Sequence, residues 1–131
     1  VALIGGRTAA GTGAGVGISL QTTMIGAREV PPVVSLMSGT GTFTLTGNGL
    51  QYAIQLSGSG YTAITGAHFH RGAAGVNGPV VQPISVVGKV ASGVWTNLTE
   101  QDRNDILNGT IYVNIHTTAN PNGEIRGQLT Q

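Results

Sequence analysis

The stretch Gly41-Thr-Phe-Thr-Leu-Thr-Gly-Asn-Gly-Leu-Gln-Tyr-Ala-Ile-Gln-Leu56 decides the fold of this chain. Phe43 and Leu45 alternate with Thr42, Thr44 and Thr46; Leu50, Tyr52, Ile54 and Leu56 alternate with Gln51, Ala53 and Gln55. Successive side chains of a strand point to opposite faces, so each half reads as a strand with one apolar and one polar side. Between them, Gly47-Asn-Gly49 supplies residues that tolerate the positive φ of a tight hairpin turn. A hairpin with one apolar face needs a second layer to cover it.

The same grammar extends outward in both directions. Ile18, Leu20, Thr22 and Met24 alternate with Ser19, Gln21 and Thr23, while Val30-Pro-Pro-Val-Val34 is extended and confined by its prolines to an edge or a turn. Residues 61–70 read as a further strand, residues 71–79 as a Gly-rich loop, and residues 80–84 as an extended run continuing towards Val87. Residues 110–116 and 124–130 form the last two strands, joined by a turn-rich loop around Asn120-Pro-Asn-Gly123. One helix is predicted: Thr99 is its N-cap, Asp102 completes a capping box, Glu100 suits the positive end and Gly109 stops it. Glu100, Asp102 and Asp105 are therefore helix-surface and capping residues rather than a catalytic cluster. Short strands separated by Gly/Asn turns predict an all-β protein, an antiparallel β-sandwich of Ig-like or superoxide-dismutase-like Greek-key type, with one short helix.

Composition narrows the function classes. The 131 residues suit one domain, charged residues are 8% and the net charge is +1, against about 25% charged in ordinary soluble proteins. Neither nucleic acid nor an anionic membrane is an expected partner, and no apolar run reaches the length of a membrane span. The absence of cysteine excludes disulfides and thiolate metal sites. A near-neutral, Thr/Gly-rich surface instead points to packing against copies of the same chain. Residues 1–17 are rich in Gly and Ala and read as an arm for subunit linkage, leaving 18–131 as the folded domain. An extended arm can add a strand to an open sheet edge of a neighbour, and repeated head-to-tail contacts make a filament or tubule. The opening at Val1 fits an exported protein that has lost its leader, and Asn97-Leu-Thr and Asn108-Gly-Thr match the glycan-acceptor pattern.

All three histidines lie in two segments, Gly66-Ala-His-Phe-His-Arg-Gly72 and Tyr112-Val-Asn-Ile-His116. Strand parity places His68 and His70 on one face, and Tyr112, Asn114 and His116 on one face of the later strand. Neutral imidazoles are good ligands for copper or zinc, and His68, His70 and His116 are the candidate transition-metal set. The competing reading is a hydrogen-bonded polar face in which Glu124, Arg126 and Gln128 pair across to Asn114 and His116; a pocket for another ligand is the third. A divalent calcium ion would need oxygens, for which Asn77, Asn120, Asn122 and Glu124 in the loops 71–78 and 116–124 are the candidates. No resident cofactor is required by any of these readings, and no nucleophile–base pair or phosphate-binding loop is recognisable, so enzymatic activity is not expected. Gly11-Thr-Gly-Ala-Gly15 lacks the strand, helix and later acidic residue of a dinucleotide site.

Several blocks, in order, resemble the CHRD (chordin-type) domain family, specifically its secreted prokaryotic members. They are Gly26-Ala-Arg-Glu-Val-Pro-Pro-Val33, Gly39-Thr-Gly-Thr-Phe43, Leu50-Gln-Tyr52, Ala67-His-Phe-His-Arg-Gly72, Gly78-Pro-Val-Val81, Leu107-Asn-Gly109, Tyr112-Val-Asn-Ile-His-Thr117 and Pro121-Asn-Gly-Glu-Ile-Arg-Gly-Gln128. The resemblance implies an extracellular β-sandwich module without assigned catalysis. A more distant likeness to copper/zinc superoxide dismutase stops at the His-x-His strand, because three histidines cannot supply a bridging imidazole and two metal sets. The expectation is an extracellular structural, self-assembling protein of a prokaryotic cell surface or matrix, metal-stabilised, with a copper/zinc-binding or ligand-binding secreted module as the alternative.

Overall fold

A computed structural model describes residues 17–131. The arm expected at residues 1–17 lies outside the described residues except for Gly17. The chain forms β1 (Ile18–Met24), β2 (Met37–Thr46), β3 (Gly49–Gly58), β4 (Ile64–Arg71), β5 (Val80–Pro83), β6 (Val90–Trp95), α1 (Glu100–Asn108), β7 (Ile111–Thr117) and β8 (Ile125–Gln128). Two four-stranded antiparallel sheets result, ordered β1-β2-β3-β6 and β5-β4-β7-β8. The all-β sandwich with one short helix is therefore the architecture.

The hairpin of β2 and β3 pairs Phe43 with Tyr52 and Thr46 with Gly49, leaving Gly47 and Asn48 as the turn. Gly49 has φ 139°, and a Cβ there would lie 2.3 Å from the Trp95 carbonyl oxygen, so only glycine lets β6 approach. The apolar residues of the hairpin face inward as their alternation requires: Phe43, Leu45, Leu50, Ile54 and Leu56 are buried. Phe69 of β4 lies between the layers, edge-on to Phe43 and Tyr52 and stacked on Trp95 at 5.1 Å between ring centres. From the second sheet, Ala67, Ile111, Val113, Ile115 and Ile125 complete the core.

Three boundaries differ from the sequence reading. Residues 61–63 form a 3₁₀ turn, so β4 starts at Ile64. Residues 30–34 form no strand but a loop, as the prolines permit. The final strand is shorter, ending at Gln128, with Thr130 making an isolated bridge to Gln21. β6 was not anticipated, because its exposed residues Val90 and Val94 are as apolar as its buried ones, Ala91 and Trp95, which erases the period-two signal.

The sandwich is closed along one side and open along the other. Bridges of Gln21 to Thr130 and Ile25 to Arg126 tie β1 to the β8 side. β5 and β6 are the outer strands of their sheets on the opposite side. α1 fills the β6–β7 crossing. Its Thr99–Asp102 capping box forms as expected, and Gly109 closes its C-terminus in the left-handed region. Asp102 and Asp105 also hold Arg71 at 2.5 and 2.6 Å, tying the helix to the end of β4.

Candidate metal centre

Because Phe69 and Ala67 face the core, His68 and His70 point to the outer face of the second sheet. Antiparallel pairing then sets His68 opposite Asn114, His70 opposite Tyr112 and Gly66 opposite His116. Three imidazoles separated by up to 48 residues in sequence meet as a direct consequence of strand parity and register. One ring nitrogen of each lies within 4.8 Å of the others, and His68 Nδ1 is 3.2 Å from His116 Nε2.

Two of the remaining ring nitrogens are tied to backbone, those of His70 and His116. His70 Nδ1 lies 2.9 Å from the Gly78 carbonyl and His116 Nδ1 lies 2.8 Å from the Pro121 carbonyl. A carbonyl only accepts, so each Nδ1 carries the proton and each Nε2 presents a lone pair to the cluster. Metal-binding histidines are commonly oriented by such a hydrogen bond from the other nitrogen. His70 Nε2 is buried and has no hydrogen-bond partner among the described residues. A buried acceptor left in this way is costly, and a ligand for it is the simplest remedy.

The site is also prepared electrostatically. Burial holds His70 below the usual imidazole range, with the Gly78 hydrogen bond only partly opposing it. Burial likewise lowers His68, followed by the repulsion its charged form would meet from His116 and His70. Both rings are therefore neutral at pH 7, the form that ligates a metal.

The outer face is roofed by polar side chains and two loops. The His70 ring stacks on Tyr112 at 4.7 Å and 4°, and the Arg126 guanidinium lies 3.4 Å over the same tyrosine ring. Arg126, 1% exposed, donates to the Ala73 and Val76 carbonyls, Asn77 Oδ1 and Gln128 Oε1. Asn77 in turn donates to the Val30 carbonyl, binding the 71–79 loop to the Glu29 loop. In the competing reading's polar face, Arg126 does lie opposite Asn114 across β7 and β8, but no Glu124–Arg126–His116 hydrogen-bond chain forms. Arg126 engages the loop instead, and Glu124 accepts from Ser35, Thr117 and Asn120. These three hydrogen bonds outweigh the burial that would raise Glu124 and hold it below the ordinary carboxylate range.

Of the residues proposed for calcium, Asn120 and Glu124 meet, Asn120 Nδ2 donating to Glu124 Oε1 at 2.7 Å. Asn77 Oδ1 accepts from a guanidinium, both Glu124 oxygens accept hydrogen bonds, and Asn122 is exposed. Among the described residues, the three histidines are the one group of potential histidine, cysteine or carboxylate ligands that converges.

Glu29 carried no site role in the sequence reading, and Asn114 only that of a polar neighbour of His116. Glu29 is 5% exposed, and its carboxyl rises to about 7 because burial outweighs the pull of Arg126. Asn114, 4% exposed, places Oδ1 3.0 Å from His116 Nε2. The signal for Asn114 was its shared parity with His116. Glu29 was visible only as part of Glu29-Val-Pro-Pro32, where nothing local marks it as buried. Gly123, with φ 130°, makes room for it, since a Cβ there would lie 2.5 Å from a Glu29 oxygen.

Glu29 gives a pH dependence with a definite sign. Its folded value of about 7 exceeds the ordinary 4.5, so between these limits the folded state retains a proton that the unfolded state releases. Its contribution to stability is therefore present at low pH and is lost as pH rises from 4.5 through 7. Urea midpoints at pH 5 and pH 7.5 should differ by this contribution between the wild type and Glu29→Gln, the variant being relatively better at the higher pH. An identical pH trend in both proteins would show that Glu29 titrates normally.

No curated protein and no solved structure matches the chain. The sequence model of the CHRD domain matches residues 20–129, which spans every strand of the sandwich and all three clustered histidines. The chain belongs to the CHRD domain family.

Proposed function

We propose that this chain is a non-enzymatic, extracellular β-sandwich module that binds one transition-metal ion, copper or zinc, through His68, His70 and His116. The observation that carries this reading is the convergence of three imidazoles, two of them with tautomers set by backbone carbonyls, with His70 Nε2 buried and unpartnered. The donor set contains neutral nitrogen and no carboxylate, which favours copper or zinc over calcium or magnesium. Extracellular placement is supported by the charge-poor surface and by the exposure of Asn97 and Asn108, the two glycan-acceptor positions. Among the described residues, no helix is long and apolar enough to cross a membrane. The test is metal analysis after exposure to zinc or copper and extensive dialysis. One ion per chain, absent from the His68→Ala/His70→Ala/His116→Ala variant, supports the reading; equal metal content in both proteins rejects it.

A second reading, self-association into a cell-surface or matrix filament or tubule, is favoured by one specific feature. β6 (Val90-Ala-Ser-Gly-Val-Trp95) is an outer strand without proline or charge, the two devices that usually protect an edge. Val90 and Val94 are 47% and 45% exposed, with Val80 and Val87 exposed nearby in sequence. A strand from a second copy, with residues 1–17 as the donor, would pair this edge and cover that apolar surface. Light scattering and electron microscopy should find the assembled fraction reduced by Val94→Lys and by deletion of residues 1–17. Normal assembly of both variants would reject the strand-addition reading.

A further inference from the structure

Resting on the histidine-site reading, we infer that the side-chain oxygen of Asn114 is the fourth ligand of the bound ion. Asn114 sits between His116 on its own strand and His68 directly across on β4, at the centre of the cluster. Its Oδ1 is 3.0 Å from His116 Nε2. His116 Nδ1–H donates to the Pro121 carbonyl, so in that tautomer Nε2 presents its lone pair towards Asn114. Two acceptors therefore face one another, a contact that a cation between them turns from repulsive to attractive.

The amide orientation is not arbitrary. Oxygen and nitrogen of an asparagine side chain are assigned from their partners. Oδ1 is the atom that faces His116 Nε2, and a cation between them favours that orientation over the flipped one. The dimensions agree. Zinc–nitrogen bonds of 2.0–2.1 Å imply a separation of about 3.3 Å between neighbouring ligand atoms of a tetrahedron. The His68–His116 and Asn114–His116 separations are 3.2 and 3.0 Å. Two edges of a tetrahedron are thus already near their final length. His70 Nε2 is the remaining corner, and closing the group from its 4.8 Å span completes the coordination.

The arrangement carries a consequence for ion choice: a neutral N₃O set adds no negative charge, so it selects against hard dications that need carboxylates.

The test uses the whole chain loaded with cobalt(II) or copper(II), reading affinity by chelator competition and ligand identity by the visible or electron-paramagnetic-resonance spectrum. Asn114→Ala should retain one ion with affinity lowered at least about tenfold, the lower end of what oriented groups at metal sites contribute, and with a changed spectrum. Asn114→Asp preserves shape and supplies an anionic oxygen, so it should also change the spectrum while binding at least as tightly as the wild type. If wild type binds but both Asn114 variants keep its spectrum and affinity, Asn114 is not a ligand and the three-histidine site stands. If wild type itself binds no ion, the underlying reading fails instead.

Discussion

Replacing His70 by alanine is expected to lower zinc or copper affinity by more than about 100-fold, exceeding the 10–100-fold cost of losing a supporting group around a metal. His70 is 7% exposed, is held by Tyr112 and the Gly78 carbonyl, and directs a buried lone pair with no other partner into the cluster. Two half-buried imidazoles cannot reproduce that geometry. Thermal unfolding gives a second readout. At free metal 100-fold above Kd, binding stabilises the wild type by about 2.7 kcal/mol, whereas the variant should show almost no metal-dependent shift. Removing the ring also relieves an unsatisfied buried nitrogen, so part of the packing loss against Tyr112 is offset in the metal-free protein. His68→Ala, at a half-buried position, provides the same affinity test with less risk to folding. Unchanged affinity in both variants would place the ion elsewhere.

The second large effect is on the fold. Arg126→Met should destabilise the protein by roughly 2 kcal/mol or more, since each buried acceptor left without its donor costs about 1–3 kcal/mol. The guanidinium is the peg that fastens the 71–79 loop to the sheet: it bonds the Ala73 and Val76 carbonyls, both at 2.9 Å, and covers the Tyr112 ring. Without it those carbonyls lose a buried donor and the Glu29 carboxyl loses its nearby positive charge. Gly78, whose carbonyl orients His70, belongs to the same loop, so metal affinity should weaken alongside stability. Arg126→Lys should recover only part of the loss, because an ammonium cannot make the planar fork that reaches carbonyls, Asn77 and Gln128 together. Urea denaturation decides the matter. A loss below about 1 kcal/mol, the scale of an exposed pair, would mean that the loop is held by other contacts.

The fold was largely legible because one face of most strands is buried. The 41–56 hairpin, β1, β7 and the capped helix each carry an undiluted period or cap signal. β6 escaped because its outer valines abolish the alternation. Residues 61–63 were misread because a 3₁₀ turn and the start of a strand share the same apolar content. Parity alone placed His68, His70 and His116 on outward faces, but their meeting depended on β4 lying beside β7. That adjacency arises after α1 carries the chain between sheets, which no local pattern records. The burial of Glu29, Arg126 and Asn114 was hidden for a related reason. A sheet face that looks solvent-directed by parity is roofed by two loops, and loops carry no periodicity from which a cover can be read.

The most direct test of the central claim is anomalous diffraction at the zinc edge from crystals of the zinc-loaded protein. The account predicts a single strong peak on the outer face of the β5-β4-β7-β8 sheet, about 2.0–2.1 Å from one nitrogen each of His68, His70 and His116. A peak at the Asn120–Glu124 loop, or none near the three histidines, would contradict it.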